Sequence, residues 1–152
     1  MQQSGKVDAH RAVSAGLAAG SAYLAAMWLD NRLSSQQFND LKLVGQFFTI
    51  RSPWWIAQGL AGHYIFSVIM AFVYARFVYT RLPLPPPLKG IVFLNIENAV
   101  LYPLGPVVDR VHADIRSGQL PSMFTMKTFL GQVVRHIAFG AILGLLYRPP
   151  DR

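Results

Sequence analysis

Four long apolar stretches constrain this chain more than any other feature of its sequence. They lie at about 12–29, 54–79, 88–104 and 128–147 and are rich in Ala, Leu, Ile, Val and Phe. A helix of ~20 apolar residues crosses the ~30 Å hydrocarbon core of a bilayer. Inside this core there is no water to bond the backbone, so the N–H and C=O groups must form hydrogen bonds within their own segment, which favours helices. The sequence therefore predicts an all-α, polytopic membrane four-helix bundle, with residues 1–152 forming a single transmembrane domain.

The composition supports a membrane location. Hydrophobic residues make up 53% of the chain and charged residues only 14%, whereas soluble domains carry about 25% charged residues. Because the chain has no cysteine, disulfides, thiolate metal sites and thiol redox chemistry are excluded. The net charge of +7 comes from basic residues scattered over the connecting segments, without a basic run. We therefore predict contacts with the lipid bilayer and no binding of nucleic acid.

The third stretch, 88–104, is the least regular of the four. It is short, contains Asn95, Glu97 and Asn98, and meets Pro103 near its end. Polar side chains weaken insertion, and proline interrupts a helix because it lacks the backbone N–H. This segment is expected either to insert with the help of its neighbours or to be a broken or partly re-entrant element.

The basic residues also bear on processing and orientation. Lys6 and Arg11 precede the first stretch as they would in a signal peptide, but that stretch of roughly 18 residues is longer than the ~7–15 residues of a signal peptide's apolar region. A retained first span is therefore expected. With four spans, seven Lys and Arg residues lie on the side of the termini and six on the other. This small bias favours cytoplasmic termini in a multi-pass protein of the cell (inner) membrane.

Two halves of the sequence resemble each other. His63 and His136 are each followed by Phe at three, a small residue at four and Tyr at eleven positions. The preceding connectors share the patterns Asp40-Leu41-Lys42 and Asp114-Ile115-Arg116. A parallel two-plus-two internal repeat is predicted, with the two histidines at equivalent depths and the connectors lying as amphipathic segments on the bilayer surface.

Small residues on the first two stretches indicate close helix packing. Gly16 and Gly20 form a GxxxG pattern, and Gly59 and Gly62 lie on the face of the second stretch that carries His63. Small residues let helix backbones approach each other in lipid. We expect these glycines to pack the bundle internally, with self-association through the first stretch as the alternative.

Ionisable side chains inside the apolar stretches are the candidate functional residues. A charge at the bilayer centre costs at least ~2.5–3.5 kcal/mol, so such groups usually face one another inside a bundle. The candidates are His63, Glu97, Arg135 and His136, supported by the polar residues Asn95, Asn98, Tyr102 and Gln132. Two kinds of pairing remain open: an ion pair of Glu97 with Arg135, or a hydrogen bond that Glu97 accepts from His63 or His136.

One segment resembles a known family. His63-Tyr64-Ile65-Phe66-Ser67, followed by Ala71 and Tyr74, is similar to the His-x-Ile-Phe-Ser…Ala…Tyr segment of the YagU-like small inner-membrane proteins. Leu88-Lys89-Gly90 before the third stretch and Pro103-Leu104-Gly105 at its end also resemble that family. The resemblance covers the second to fourth stretches. It implies an inner-membrane location but no chemistry, because the family is largely uncharacterised.

Three functions are compatible with these residues. The first is a non-enzymatic scaffold or accessory subunit that works through other membrane proteins. The second is a proton or ion pathway using the Glu and His residues, and the third is a b-type haem protein with His63 and His136 as axial ligands. Apart from that haem, no cofactor or metal is predicted. No phosphate-binding loop, His-Glu-x-x-His motif or nucleophile elbow is present, so no enzyme activity is predicted.

Overall fold

A computed structural model describes residues 7–34, 37–47 and 52–148 of the chain. These residues form helices and loops without any strand, which confirms the predicted fold class. Four helical segments within them are long and apolar enough to cross a membrane: Ala9–Leu33, Trp55–Val78, Pro86–Val111 and Met126–Leu146. Lys6, Arg51 and Arg152, which entered the charge count, lie outside the described residues.

The helices follow one another with short connections. Their bounds are α1 Ala9–Leu33, α2 Asp40–Gly45, α3 Trp55–Val73, α4 Pro86–Leu101, α5 Gly105–Val111, α6 Ala113–Arg116 and α7 Met126–Leu146. A π-helical turn, Tyr74–Val78, continues α3. The side chains of Asp8 and Thr125 accept backbone N–H groups at the starts of α1 and α7. These N-caps define both helix starts by satisfying N–H groups that have no partner inside the helix.

The third spanning segment is longer than predicted and is interrupted. It begins at Pro86, because proline is well tolerated in the first helical turn. A 3₁₀ turn, Tyr102–Leu104, contains Pro103 and separates α4 from α5. The whole segment Pro86–Val111 is still long and apolar enough to cross a membrane, so the choice between full insertion and a broken element stays a prediction. The predicted end at residue 104 is wrong, since α5 continues the segment to Val111.

The spanning helices are arranged in the spatial order α3, α1, α7, α4. Helix α1 packs against α3 and α7, and α4 packs against α7. Helix α4 meets the second span at the π-helical turn, where the Tyr74 ring lies 5.9 Å from that of Phe93 and 6.0 Å from that of Tyr147. The second and third spans therefore approach each other at the end of the bundle that carries the chain termini.

Small residues make the close crossings. A Cβ on Gly16 would lie 2.9 Å from the Ser67 carbonyl oxygen, and one on Gly20 would lie 2.6 Å from Ser67 Oγ. A Cβ on Gly90 of α4 would lie 1.9 Å from the Gly140 carbonyl oxygen of α7. The GxxxG face of α1 is thus filled by α3 of the same chain, which leaves it unavailable for self-association. Ser67 and Gly140 occupy equivalent positions in the predicted repeat.

Helix α2 belongs to a connector predicted to lie on the bilayer surface, and its depth in the bilayer stays a prediction. It packs against α3 so closely that a Cβ on Gly59 would lie 2.2 Å from the Leu41 carbonyl oxygen. A Cβ on Gly62 would lie 2.7 Å from Val44 Cγ1. Asp40, the first residue of α2, is only 8% exposed. The connector folds into the bundle because the Asp40 carboxylate has a buried cationic partner there.

The two long connectors contact each other. His112 is buried and its Nε2 donates to the Leu43 carbonyl oxygen at 3.0 Å. Lys42 Nζ lies 3.5 Å from the buried Asp114 carboxylate and donates to Gln119 Oε1 at 3.1 Å. These polar contacts fix the end of the bundle opposite the termini.

Candidate functional site

Arg135 of α7 is neutralised by two carboxylates. Its side chain is 2% exposed. One terminal nitrogen donates to Asp40 Oδ2, and the other donates to Asp30 Oδ2 at 2.6 Å and to Asn31 Oδ1 at 3.2 Å. The predicted alternative of an ion pair between Arg135 and Glu97 is therefore wrong. The Arg135 side chain extends towards the end of α1 and towards α2, where both acids lie.

Gln132 and Tyr23 extend this cluster. The Tyr23 hydroxyl donates to Gln132 Oε1, and Gln132 Nε2 donates to Asp40 Oδ1 at 2.6 Å. Each Asp40 oxygen thus accepts a hydrogen bond from α7. Buried charges are tolerated when they are paired, and within the described residues Arg135 Nε is the guanidinium nitrogen that stays buried without a hydrogen-bond partner. The network joins α1, α2 and α7 through side chains.

Glu97 of α4 pairs with His136 of α7. Glu97 Oε2 lies 3.2 Å from His136 Nε2, and His136 Nδ1 lies 2.7 Å from the Gln132 carbonyl oxygen. A carbonyl oxygen only accepts, so Nδ1 carries a proton. The contact between Nε2 and Oε2 then requires a second proton, held either by the imidazole or by the carboxyl group. In both arrangements the pair is neutral overall and holds one exchangeable proton.

His63 lies beside this pair but does not join it. Its Nε2 donates to the Gly20 carbonyl oxygen at 3.0 Å. The Tyr23 ring lies between the two imidazoles, with centroids 5.2 Å from His63 and 5.4 Å from His136. Axial ligation of one haem would need both Nε2 atoms to face a common iron. The arrangement does not fit that group, because Tyr23 occupies the space and each Nε2 faces another partner.

The four supporting polar residues have different environments. Gln132 belongs to the Arg135 network. Tyr102 stacks on Phe124 with centroids 4.8 Å apart. Within the described part of the chain, Asn95 Oδ1 and Asn98 Nδ2 are buried without a hydrogen-bond partner. The supporting polar residues predicted from the sequence therefore do not form one connected site.

A cavity of about 240 Å³ lies beside the Glu97–His136 pair. Helices α1, α2, α3, α4 and α7 all contribute lining residues to it. Its ionisable lining residues are Tyr23, Asp40, His63, Glu97 and His136. Its larger apolar lining residues are Phe66, Met70, Leu94 and Phe139. Of the four ionisable residues predicted as the site, His63, Glu97 and His136 line this cavity and Arg135 does not.

The sequence interpretation missed Asp30, Asp40 and Tyr23. Asp30 directly follows the first apolar stretch and Asp40 lies in a connector. Both therefore lie outside the stretches in which buried charges are expected. A buried arginine requires acidic partners. The presence of Arg135 in an apolar helix was therefore the signal that acids from elsewhere in the chain must reach it. Groups of three or more His, Cys, Asp or Glu that could hold a metal ion are absent from the described residues.

Comparisons with protein-family models, with curated proteins and with solved structures find no match for this chain. The resemblance to the YagU-like proteins stays a prediction that depends on the segment from His63 to Tyr74. Inferences about function must therefore start from the geometry described above.

Proposed function

We propose that this chain is a non-enzymatic, multi-pass inner-membrane protein that serves as a scaffold or accessory subunit. The observation that carries this proposal is the binding of Arg135 by both Asp30 and Asp40. Removing one partner of a buried ion pair typically costs ~3–5 kcal/mol. Such a cluster maintains the positions of three chain segments, which is what a protein that presents a fixed shape to partners requires.

The outer faces of the second and third spans support a role in contacts within the membrane. Ile65 of α3 is 63% exposed, and Ile96 and Val100 of α4 are 57% and 68% exposed. These apolar side chains suit contact with lipid or with another membrane protein. Membership of the YagU-like family would agree with this location.

The start of α1 and the end of α7 lie at one end of the bundle, which we propose faces the cytoplasm. The Arg11 guanidinium donates to the Arg148 carbonyl oxygen, so the start of α1 and the end of α7 are adjacent. The slight excess of Lys and Arg on that side supports this orientation.

Reconstitution into lipid vesicles tests the scaffold role. A scaffold is expected to give no proton flux above that of protein-free vesicles under an imposed pH gradient and a membrane potential. Asp40→Asn is expected to reduce the amount of folded protein in membranes without creating a flux. A flux that requires the wild-type protein and disappears in a folded Glu97→Gln variant would overturn the scaffold proposal.

A second candidate function is proton handling at the Glu97–His136 pair. The supporting observation is the Nδ1 contact with the Gln132 carbonyl oxygen, since it requires the pair to hold an exchangeable proton. The same vesicle experiment tests it, because proton transport through the pair predicts a flux that depends on Glu97. If wild-type vesicles match protein-free vesicles, proton transport is excluded.

A further inference from the structure

We propose that the cavity between α3 and α4 binds an amphipathic organic cation in exchange for the proton held by Glu97 and His136. Such a ligand carries an ammonium or similar group on an aromatic or alkyl body. This inference deepens the second candidate function. It rests on that function because it requires the Glu97–His136 pair to hold an exchangeable proton.

The charges around the cavity favour a cation. Two carboxylates line it, Asp40 and Glu97. Asp40 is already bound by Gln132 and Arg135. Glu97 pairs only with His136 among the ionisable side chains of the described residues, and their side chains retain 16% and 14% exposure. Glu97 is therefore the carboxylate that can accept a positively charged group from a ligand.

The walls suit the apolar part of such a ligand. Tyr23, Phe66 and Phe139 contribute aromatic rings to the lining, and Met70 and Leu94 contribute aliphatic surface. Cations are attracted to the faces of aromatic rings, more strongly where water is excluded. A carboxylate surrounded by aromatic rings therefore selects an organic cation over a hydrated inorganic one.

The cavity is accessible from the side of the bundle. Helix α4 meets the second span at the π-helical turn rather than along α3, and the cavity occupies the space between the two helices. Phe66 lines the cavity and is 52% exposed, beside the exposed apolar Ile65 and Ile69. A volume of 240 Å³ is below the ~300–1,000 Å³ of sites for drug-sized ligands. We infer that the charged head enters from the bilayer and that a longer apolar body stays in lipid.

The exchange balances in charge. Before binding, the pair is neutral and holds one proton between Nε2 and Oε2. After binding, the Glu97 carboxylate pairs with the cation, His136 keeps its Nδ1–H bond to the Gln132 carbonyl oxygen, and the displaced proton goes to water. One positive charge enters and one leaves, so the cavity stays neutral.

Other ionisable groups near the pair are already engaged. They are Tyr23 on α1, Asp40 on α2, His63 on α3 and Arg135 on α7. Tyr23 and His63 donate their protons to Gln132 and to the Gly20 carbonyl oxygen, and Asp40 offsets Arg135. The Glu97–His136 pair is consequently the source of the released proton.

The test uses the full chain in nanodiscs of zwitterionic lipid, in a weakly buffered solution with a pH-sensitive dye. Phenyltrimethylammonium is the probe, and tert-butylbenzene is its uncharged control of the same shape. We expect saturable binding of the cation with release of about one proton per chain and at least about tenfold weaker binding of the control. Because the proton competes, the apparent affinity for the cation should rise with pH, by up to about tenfold per unit.

Variants locate the site. Glu97→Gln should abolish both cation binding and proton release. Phe66→Ala should weaken binding about tenfold while it leaves the pair intact, and Ile65→Ala on the adjacent exposed surface should have no effect. If Glu97→Gln does not fold, Phe66→Ala still tests the site, because Phe66 is half exposed and its truncation should leave the protein folded.

Several results would overturn the proposal: no saturable binding to the wild-type protein, binding without proton release, or equal binding of the uncharged control. A Glu97-dependent proton flux in vesicles without displacement by the cation would reject the cation site and leave the second candidate function standing. Displacement without any flux would support the cation site and exclude proton transport.

Discussion

The guanidinium of Arg135 donates a hydrogen bond to the carboxylate of Asp40, a residue 95 positions earlier in the chain. Asp40 is the first residue of the six-residue helix α2, so this bond ties a connector to the middle of the last spanning helix. Asp30 binds the other terminal nitrogen of Arg135 from the end of α1. A cation in an apolar helix is thereby neutralised by two segments that precede the second span.

Asp40→Asn should strongly destabilise the protein. The substitution removes one of the two carboxylates that offset Arg135 and leaves Asp30 as its partner, so the expected cost is about 1–3 kcal/mol for a buried charge-assisted hydrogen bond, below the ~3–5 kcal/mol of a buried charge left unpaired. The free energy of unfolding, measured by denaturant titration in mixed micelles, should fall by about 1–3 kcal/mol. Asp8→Asn is the matched control, because Asp8 is a partly exposed N-cap that Asn can replace, and its pair with Arg11 at the surface contributes little, so its effect should stay within about 0.5 kcal/mol. Equal stability of the two variants would contradict the assigned role of Asp40.

Gly59→Ala should displace α2 from α3. Its Cβ would lie 2.2 Å from the Leu41 carbonyl oxygen, and backbone cannot move as a side chain can. Overpacking of this kind costs about 1–3 kcal/mol. Gly62→Ala, one turn further along, meets only the Val44 side chain, and the helix propensity of Ala offsets that cost by up to about 1 kcal/mol. In thermal unfolding, the melting temperature of Gly59→Ala should therefore lie well below that of Gly62→Ala. The reverse order would contradict this packing.

Glu97→Gln should leave His136 as a neutral imidazole with the proton on Nδ1. The Gln amide can donate to Nε2, while Nδ1 keeps its bond to the Gln132 carbonyl oxygen. Solid-state ¹⁵N NMR of labelled histidine in lipid reports this tautomer, with His136→Ala used to assign the signal. A proton on Nε2 in the Gln variant would show that the Nδ1 contact does not control the ring.

Added haem should not form a complex with two histidine ligands. The Tyr23 ring lies between the imidazoles of His63 and His136, and displacing it would also break its bond to Gln132. Absorption spectra of the purified protein with haem, oxidised and reduced, should show no low-spin α and β bands. Such bands, lost in His63→Ala and in His136→Ala, would contradict this geometry.

Single cysteines can determine the orientation, because the natural chain has none. His10→Cys lies near the start of α1 and Arg116→Cys lies at the end of α6, and both positions are exposed. With cytoplasmic termini, a membrane-impermeant thiol reagent should label Arg116→Cys from outside the inner membrane and leave His10→Cys unlabelled. The opposite labelling would reverse the proposed orientation, and labelling of both would contradict the number of spans between them.

Local patterns were sufficient to predict much of the fold. The spans were found from apolar length, and the glycines at 16, 20, 59 and 62 were found from their spacing. Both depend on neighbours along the chain, because a lipid-exposed backbone must bond within its own helix. The end of the third span was misplaced because the interruption at Pro103 was taken as its end, whereas Gly105 and Pro106 start a new helix.

The site was predicted only in part. The sequence left Glu97 with three alternative partners, and the structure selects His136. The structure also places Arg135 outside the cavity lining, although Arg135 and His136 are adjacent in sequence. Neighbouring residues on a helix point about 100° apart, so one faces the connector and the other faces the cavity.

The sequence by itself determined that this chain is a membrane protein of four apolar helices with polar groups at depth, because hydrophobic burial and helix formation depend on local composition. Only the tertiary structure decided which acid neutralises Arg135, where α2 packs, and which residues form the cavity. Those outcomes depend on distances between side chains more than 100 positions apart in the chain, such as Asp30 and Arg135. Electrostatic pairing and packing act through space, and the order of residues does not specify those distances.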